Sequence, residues 1–395
     1  MNKIEQLLEK YCPNGVEFKE LKEIADFSQG IQIDVEKQFP DIQEWFVRFL
    51  RIVDFVKDDE IPRYIDNPWS RYIKKEDDLV MIRYGASAAG KVFLEYEWAI
   101  ANNMFQIKLK TEKLSTKFLY CYLSQTKIYN HLNSNWGTST MPAITFGQIW
   151  SVIIPIPPIE VQQEIVKILD TFTSLEAELE AELEARKSQY EYYRDEMLSF
   201  GDEEVEWKSL GEVCFYSKSR ISAKDLNNEN YVGVDNLLQN KQGKTISNYV
   251  PTSWNLTKYE VWDILIWNIR PYLRKIWRAE NIGWTNWDVL VIRIQEKDYI
   301  VSEYLYYLLS SEKFCNYSMQ YAKWAKMPRW NKDAIMKFSI PIPSLDKQQQ
   351  IVATLDQFDA LVNDISIGLP AELQARRQQY EYYREKLLTF RELQK

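Results

Sequence analysis

One stretch of this chain occurs twice, and the repetition governs what the chain can fold into. IPIPPIEVQQEIVKILDTF and QYEYYRDEMLSF, which carry the chain from Pro155 to Phe200, return between Pro341 and Phe390 as PIPSLDKQQQIVATLDQF and QYEYYREKLLTF. Pro155, Gln163, Asp170 and Leu175 precede Pro341, Gln349, Asp356 and Leu361 by 186 positions, whereas Tyr190 and Tyr193 precede Tyr380 and Tyr383 by 190. The second copy has therefore gained four residues. In the first, Ile165, Leu169, Phe172, Leu175, Leu179, Leu183, Tyr190, Tyr193 and Met197 recur at steps of three and four with one gap at Arg186, which predicts a long helix with a narrow apolar seam. Ile351, Leu355, Phe358, Val362, Ile365, Leu369, Leu373, Tyr380, Tyr383 and Leu387 repeat the pattern. An insertion of four residues is about one turn and leaves the seam on one face, while Gly368 and Pro370 within it predict a kink. The face opposite the first seam, Glu176 to Lys187, is almost all charged, which a core helix could not bury. Each copy needs a partner helix, and the other copy supplies it: the expectation is an intramolecular antiparallel coiled coil of about 60 Å per helix at 1.5 Å per residue.

The 395 residues leave room for two to three domains, and 46% apolar content supports real cores. No run of 18 apolar residues appears, and MNKIEQLLEKYC lacks a signal-peptide core, so the chain reads as soluble, cytoplasmic and without a membrane partner. Cys12, Cys121, Cys214 and Cys315 are scattered, with His131 the sole histidine, which argues against a zinc site or a disulfide framework. The net charge of −8 argues against nucleic acid only as an average, because an acidic helix pair masks basic segments such as NIRPYLRKIWR (Asn268 to Arg278).

The repetition extends outside the helices. VEFKELKEI (Val16 to Ile24) and VEWKSLGEV (Val205 to Val213) open each half at an offset of 189. Each half then carries strand-like runs, DLVMIRYG and VFLEYEW in the first, DILIWNIRP and DVLVIRIQ in the second. A helical segment follows in each, Ser115 to Leu132 and Ser302 to Met319, with Ser115 and Ser302 as N-caps, and then a Met-Pro pair at 141–142 and 327–328. The fold class is mixed α/β: two tandem domains, 1–154 and 201–340, with helical spacers at 155–200 and 341–395.

No motif in the chain carries catalysis. Gly85 to Lys91 nearly fits a phosphate-binding loop, but Val92 replaces the metal-binding hydroxyl and a strand follows where a helix should begin. Gly243-Lys244-Thr245 has Leu238 in place of the first glycine. Asn67-Pro68-Trp69-Ser70 only partly matches an adenine methyltransferase motif, and no nucleophile stands beside a base. The positive signal is basic residues interleaved with aromatics, RYIDNPWSRYIKK, IRYGASAAGK, NIRPYLRKIWR and YAKWAKMPRWNK, two stretches in each half. Guanidinium forks and aromatic rings together suit phosphate and base contact. The candidate DNA contacts are Arg63, Arg71, Arg83, Tyr84, Ser87 and Lys91, and Arg270, Tyr272, Arg274, Lys275, Lys323, Lys326 and Arg329.

The duplicated helices, together with PNGVEFKELKEI and RYGASAAGKV, resemble the specificity subunit of type I restriction-modification systems over essentially the whole length. The resemblance implies a non-catalytic reader of double-stranded DNA, with two target recognition domains each reading half of a bipartite site and two helices acting as a ruler. It further implies two modification methyltransferase subunits docked on the helices, at exposed faces around Gln163, Tyr190, Tyr193 and Arg194 and around Gln349, Tyr380, Tyr383 and Arg384. Restriction/translocase subunits would complete the complex. S-adenosylmethionine, ATP and magnesium would then belong to partner subunits and none to this chain. Two other readings remain: a DNA-dependent NTPase or methyltransferase, which would bind cofactor alone, and a coiled-coil scaffold, which would not bind DNA.

Tryptophan, at 14, outnumbers glycine, at 12. Trp69, Trp262, Trp267, Trp284, Trp287, Trp324 and Trp330 stand where turns or strand ends favour glycine, whereas Trp207 and Trp277 do not. This pattern predicts UGA codons that the source reads as glycine; codons of UGG at Trp262, Trp284, Trp287 and Trp330 would end the idea. Tryptophan at a position needing positive φ would also make the second domain fold poorly.

Overall fold

The computed structural model describes all residues except 1–2, 58–59, 70–71, 76–77, 86–87, 95–97, 135–142, 202–204, 222–225, 252–255, 297, 323–327, 365–366 and 394–395. Two compact units form, Met1–Glu178 with Gln374–Lys395, and Leu179–Leu373. The boundary falls within the helices, because each unit takes half of the long helix Ile159–Met197 and one of the two helices that close the chain, in full or in large part.

Both units use one plan. In the first, Glu17–Glu20 pairs antiparallel with Ile153–Ile156, closing the domain at its entrance. A four-stranded antiparallel sheet follows the order Ala25–Gln29, Met104–Leu109, Leu79–Ile82, Val92–Leu94. The second unit repeats both, with Glu206–Ser209 against Ser339–Ile342 and a sheet ordered Cys214–Tyr216, Val289–Ile294, Ile264–Trp267, Ile276–Arg278. A further four-stranded sheet in each unit shares a parallel pair, Phe46–Leu50 with Trp98–Ile100 and Tyr231–Val232 with Gly283–Thr285.

The runs of apolar residues explain the layering. All four residues of Leu79–Ile82 are buried, as in a central strand covered on both faces. Leu79 and Met81 join Phe105, Phe118, Ile165 and Leu169 on the helical side, while Val80 and Ile82 join Phe49, Ile65 and Ile100 beneath the other sheet. Ile264 and Ile266, against Leu265 and Trp267, divide in the same way.

The long helix runs unbroken for 39 residues, about 58 Å. In the first unit Phe172 stacks on Tyr383 at 5.5 Å and reaches Tyr380 at 6.3 Å, and Glu176 pairs with Arg377 at 2.6 Å, so the partner runs antiparallel. The second unit repeats the cluster: Phe358 stacks on Tyr193 at 6.0 Å and on Tyr190 at 6.5 Å. Each such ring pair adds about 0.5–1.5 kcal/mol beyond its buried area.

Several local expectations change. The closing helix breaks completely, into Leu345–Asn363 and Leu369–Leu387. Gly368 enables the break, since a Cβ there would lie 2.4 Å from the Ala360 carbonyl oxygen. The segments after each sheet form two helices apiece, Thr116–Leu123 and Thr126–Asn133, then Ser302–Ser310 and Glu312–Gln320. Ser115 caps its helix by accepting from the Phe118 amide, whereas Ser302 is itself the first helical residue and Val301 holds the cap position. Leu175 and Leu361, counterparts in the repeat, are each about two-fifths exposed rather than sealed in the seam.

Of the flagged tryptophans described, Trp262 alone adopts the left-handed conformation, at φ 77°; Trp45, not flagged, does so at φ 72°. Trp267, Trp284 and Trp330 are buried, the last donating from Nε1 to the Trp267 carbonyl at 2.8 Å, while Trp69 and Trp287 are exposed. Trp324 lies outside the described residues. The second unit has the same principal sheet order as the first.

Candidate nucleic-acid interface

The basic-aromatic stretches centre on the same hairpin in both units. In the first, the chain leaves Ile82, turns, and returns as Val92–Leu94 paired with Leu79–Met81. Gly85 (φ 114°) and Gly90 (φ 92°) bracket the turn in backbone conformations that side chains disfavour. The described residues of the near-phosphate-loop sequence, Gly85 and Ala88 to Lys91, thus belong to the connection of a β-hairpin. Tyr84 is bridged to Ala143 and the Asn133 amide donates to the Ala89 carbonyl at 3.2 Å, which fastens the tip to the neighbouring segments.

In the second unit the loop between Trp267 and Ile276 has the same place. Ile269 is bridged to Arg329, as Tyr84 is to Ala143, and the Arg270 amide donates to the Pro328 carbonyl at 2.8 Å. Here arginines take the left-handed positions, Arg270 at φ 53° and Arg274 at φ 48°, around the single turn Pro271–Leu273.

The candidate contacts separate by what their side chains touch. The side chains of Lys91, Arg270 and Tyr272, three exposed residues, have no intramolecular polar partner among the described residues. Arg83 lies over the Tyr84 ring at 4.8 Å and the Phe105 ring at 5.4 Å, so this cation and ring form one unit. Arg63, half-buried, sits beside the edge strand Tyr64–Asp66, in a different sheet from the hairpin. Arg274 is turned inward, its guanidinium gripped at two points by Glu312, one of them Nη2 to Oε2 at 2.9 Å. Lys275 donates to the Val234 carbonyl at 3.0 Å and lies 4.3 Å from the Trp267 ring centre; burial pushes its ammonium below the usual lysine range. Arg329 pairs with Asp288 at 3.2 Å. Arg71, Ser87, Lys323 and Lys326 lie outside the described residues.

The helix residues also divide. Gln163 and Gln349 face solvent. Tyr190, Tyr193 and Tyr380 instead belong to the ring clusters inside the helix pairs, and Tyr383, though 36% exposed, stacks on Phe172. Arg194 and Arg384, expected on an exposed face, are 1% and 6% exposed and lie 5.7 and 5.1 Å from the rings of Tyr190 and Tyr380. Their step of four from the seam tyrosines carries them inward with those rings.

Gln162 and Gln348 went unrecognised as anchors. Each is fully buried at the start of its helix. Gln162 accepts from the Ser115 amide at 2.8 Å and donates to the carbonyls of Lys113 and Pro157 at 2.7 Å. Gln348 accepts from the Val301 amide at 2.9 Å and donates to Tyr299 at 3.0 Å and Pro343 at 2.9 Å. Their common offset of 186 was the signal available in the sequence.

Two matching sheets with a basic hairpin tip at the same position, each joined to half of a helix pair, define a duplicated recognition protein. The chain belongs to the family described as type I restriction modification DNA specificity domain, which matches it at residues 13–185 and again at 202–375. It is 30% identical to a putative type I restriction enzyme specificity subunit of Haemophilus influenzae, over 98% of both chains. It is 33% identical to the EcoR124I/EcoR124II specificity subunit of Escherichia coli over 60% of this chain, spanning 63% of that relative. A solved chain of a type I R-M system shares the fold at TM-score 0.66 with 16% identity, covering 95% of this chain and 98% of that one. Among the described residues no helix is long and apolar enough to cross a membrane.

Proposed function

We propose that each hairpin tip reads one half of a bipartite double-stranded DNA site, and that the helices hold two modification methyltransferase subunits. The observation that carries this reading is the recurrence of one hairpin connection bearing exposed basic residues at one topological position in both units, with the Lys91 side chain free in the first and those of Arg270 and Tyr272 free in the second. Such side chains supply phosphate attraction and base-edge or ring contact, while Arg274, Lys275 and Arg329 shape the surface from within. The chain itself acts without catalysis. S-adenosylmethionine is used by the methyltransferase subunits, and ATP and magnesium by restriction/translocase subunits, in the cytoplasm. The exposed Gln163 and Gln349 mark the methyltransferase-facing sides of the helices.

The test is co-expression with the cognate modification subunit, followed by genome-wide mapping of N6-methyladenine. The expected result is a bipartite motif that needs both proteins, with Arg270→Glu degrading one half while the complex still assembles. A stable complex that leaves no motif would refute the reading.

A further inference from the structure

The second recognition loop is fixed to the body of its unit at several points. Its start is held by the Arg270 amide on the Pro328 carbonyl. Its end is held by the amides of Asn240 and Lys241, which donate to the carbonyls of Leu273 and Arg274, each at 3.0 Å. Two side chains add to this: Lys275 donates to the Val234 carbonyl, and the Arg274 guanidinium grips the Glu312 carboxylate. Both partners are about one-third exposed, and a two-point grip sets angle as well as distance. Glu312 is the first residue of Glu312–Gln320, whose cap Ser311 accepts from the Phe314 amide at 3.2 Å, so the carboxylate stands on a well-started helix.

The first unit performs the same fastening with other chemistry. Its loop is tied to the corresponding helix, Thr126–Asn133, by the Asn133 amide on the Ala89 carbonyl. The position next to that carbonyl is Gly90, at φ 92°, whereas the left-handed residue closing the second loop is Arg274 itself. Two arginines four residues apart thus have opposite orientations. Arg270 points its side chain to solvent, and Arg274 turns back to Glu312.

Resting on the reading that this loop contacts DNA, we propose that Arg274 is a positioning residue for specificity: its grip on Glu312 sets where Arg270 and Tyr272 stand, and thereby the half-site that the second unit accepts. The first half-site does not depend on this ion pair, since its loop is held by a neutral hydrogen bond.

The experiment is charge reversal of each partner and of both, in the full chain co-expressed with the modification subunit. The readout is methylation at the sites mapped for the wild type. Arg274→Glu and Glu312→Arg are each expected to lower methylation there at least tenfold, and to leave any remaining motif with one half intact and the other degenerate. The double swap is expected to recover most of it, which ties the effect to the ion pair, while loss confined to one half of the motif in a complex that still assembles separates a misplaced loop from an unfolded unit. Glu312→Gln, which keeps the side chain's shape, is read alongside in case a reversal fails to fold, and should weaken the same half-site. Wild-type methylation in the single reversals, or a double swap no better than either single, overturns the inference while the reader function stands. A wild-type complex with no motif would overturn both, and Arg270→Glu distinguishes a misplaced loop from a wrongly assigned one.

Discussion

Replacing Gln348 by leucine should cost about 2–3 kcal/mol of stability. The substitution keeps the approximate volume but removes all three hydrogen bonds, leaving the Val301 amide and the Tyr299 and Pro343 carbonyls without their partner. An orphaned buried polar group costs about 1–3 kcal/mol, and three at the lower end sum to about 3 kcal/mol; the better burial of leucine offsets part of this. The repeat provides an internal replicate, because Gln162→Leu removes the same set from the Ser115 amide and the Lys113 and Pro157 carbonyls in the first unit. Urea unfolding gives the loss, and hydrogen exchange locates it: the Val301 amide should lose protection in one variant and the Ser115 amide in the other. Gln348→Glu adds a pH signature, since its carboxylate would face two carbonyls and its folded pKa would lie above the unfolded value. The variant should gain stability as pH falls toward about 4.3, where the unfolded carboxyl titrates. A loss below about 0.5 kcal/mol in both leucine variants, with protection unchanged, would refute the assignment of these glutamines as anchors.

Trp262→Gly should raise stability by about 1 kcal/mol: relief of the left-handed backbone at φ 77° exceeds the entropy that glycine adds to the unfolded chain. By contrast Trp330→Gly should cost about 3–5 kcal/mol, since that ring is buried and hydrogen-bonded to Trp267; thermal melts of the two variants check both signs. Burial, followed by the nearby Arg194 guanidinium, pushes the Lys241 ammonium down to about 8. Its folded pKa lies below the unfolded value of about 10.4, so the penalty for its charge is fully present below pH 8 and is relieved as pH rises toward 10. Lys241→Gln should therefore stabilise the protein at pH 7, with a gain that shrinks by pH 10 in paired urea titrations. Arg270→Ala should weaken DNA binding and lower the slope of log affinity against log salt by about 1, as for one lost phosphate contact, whereas Arg329→Ala should leave the slope closer to wild type.

Local periodicity carried much of the architecture into view. The seam steps from Ile165 to Tyr193 revealed the paired helices, and the run Leu79–Ile82 revealed a central strand, because both patterns depend on near neighbours. The offset between the copies disclosed the duplication without any knowledge of contacts. Position in space was harder to read. Arg194 looks like a surface residue in a charged helix, but its step of four from Tyr190 places it against that ring and out of solvent. Arg274 and Arg270 look interchangeable, and Glu312, 38 residues further along, distinguishes them. The break at Gly368 exceeds the expected kink because the Ala360 carbonyl approaches too closely for a side chain, a fact of packing that composition does not carry. The tryptophan pattern was partly legible: Trp262 occupies a backbone state suited to glycine, while Trp330 fills a core space and donates a hydrogen bond.

The closure of the first unit has a consequence for the order in which the protein is made. The Val16 amide donates to the Arg391 carbonyl at 2.8 Å, and the Leu393 amide donates back to the Val16 carbonyl at 2.9 Å. The ring partners of Phe172, Tyr380 and Tyr383, also belong to the last residues of the chain. The 195 residues of the other unit, Leu179–Leu373, are translated in between. At about 5–20 residues per second, the first half of the nascent chain waits roughly 10–40 s for its own final helix. During that interval Phe172 lacks both of its ring partners and the core that holds Ile165 and Leu169 lacks Leu388, so the first unit begins folding early but is sealed only after the second has been made.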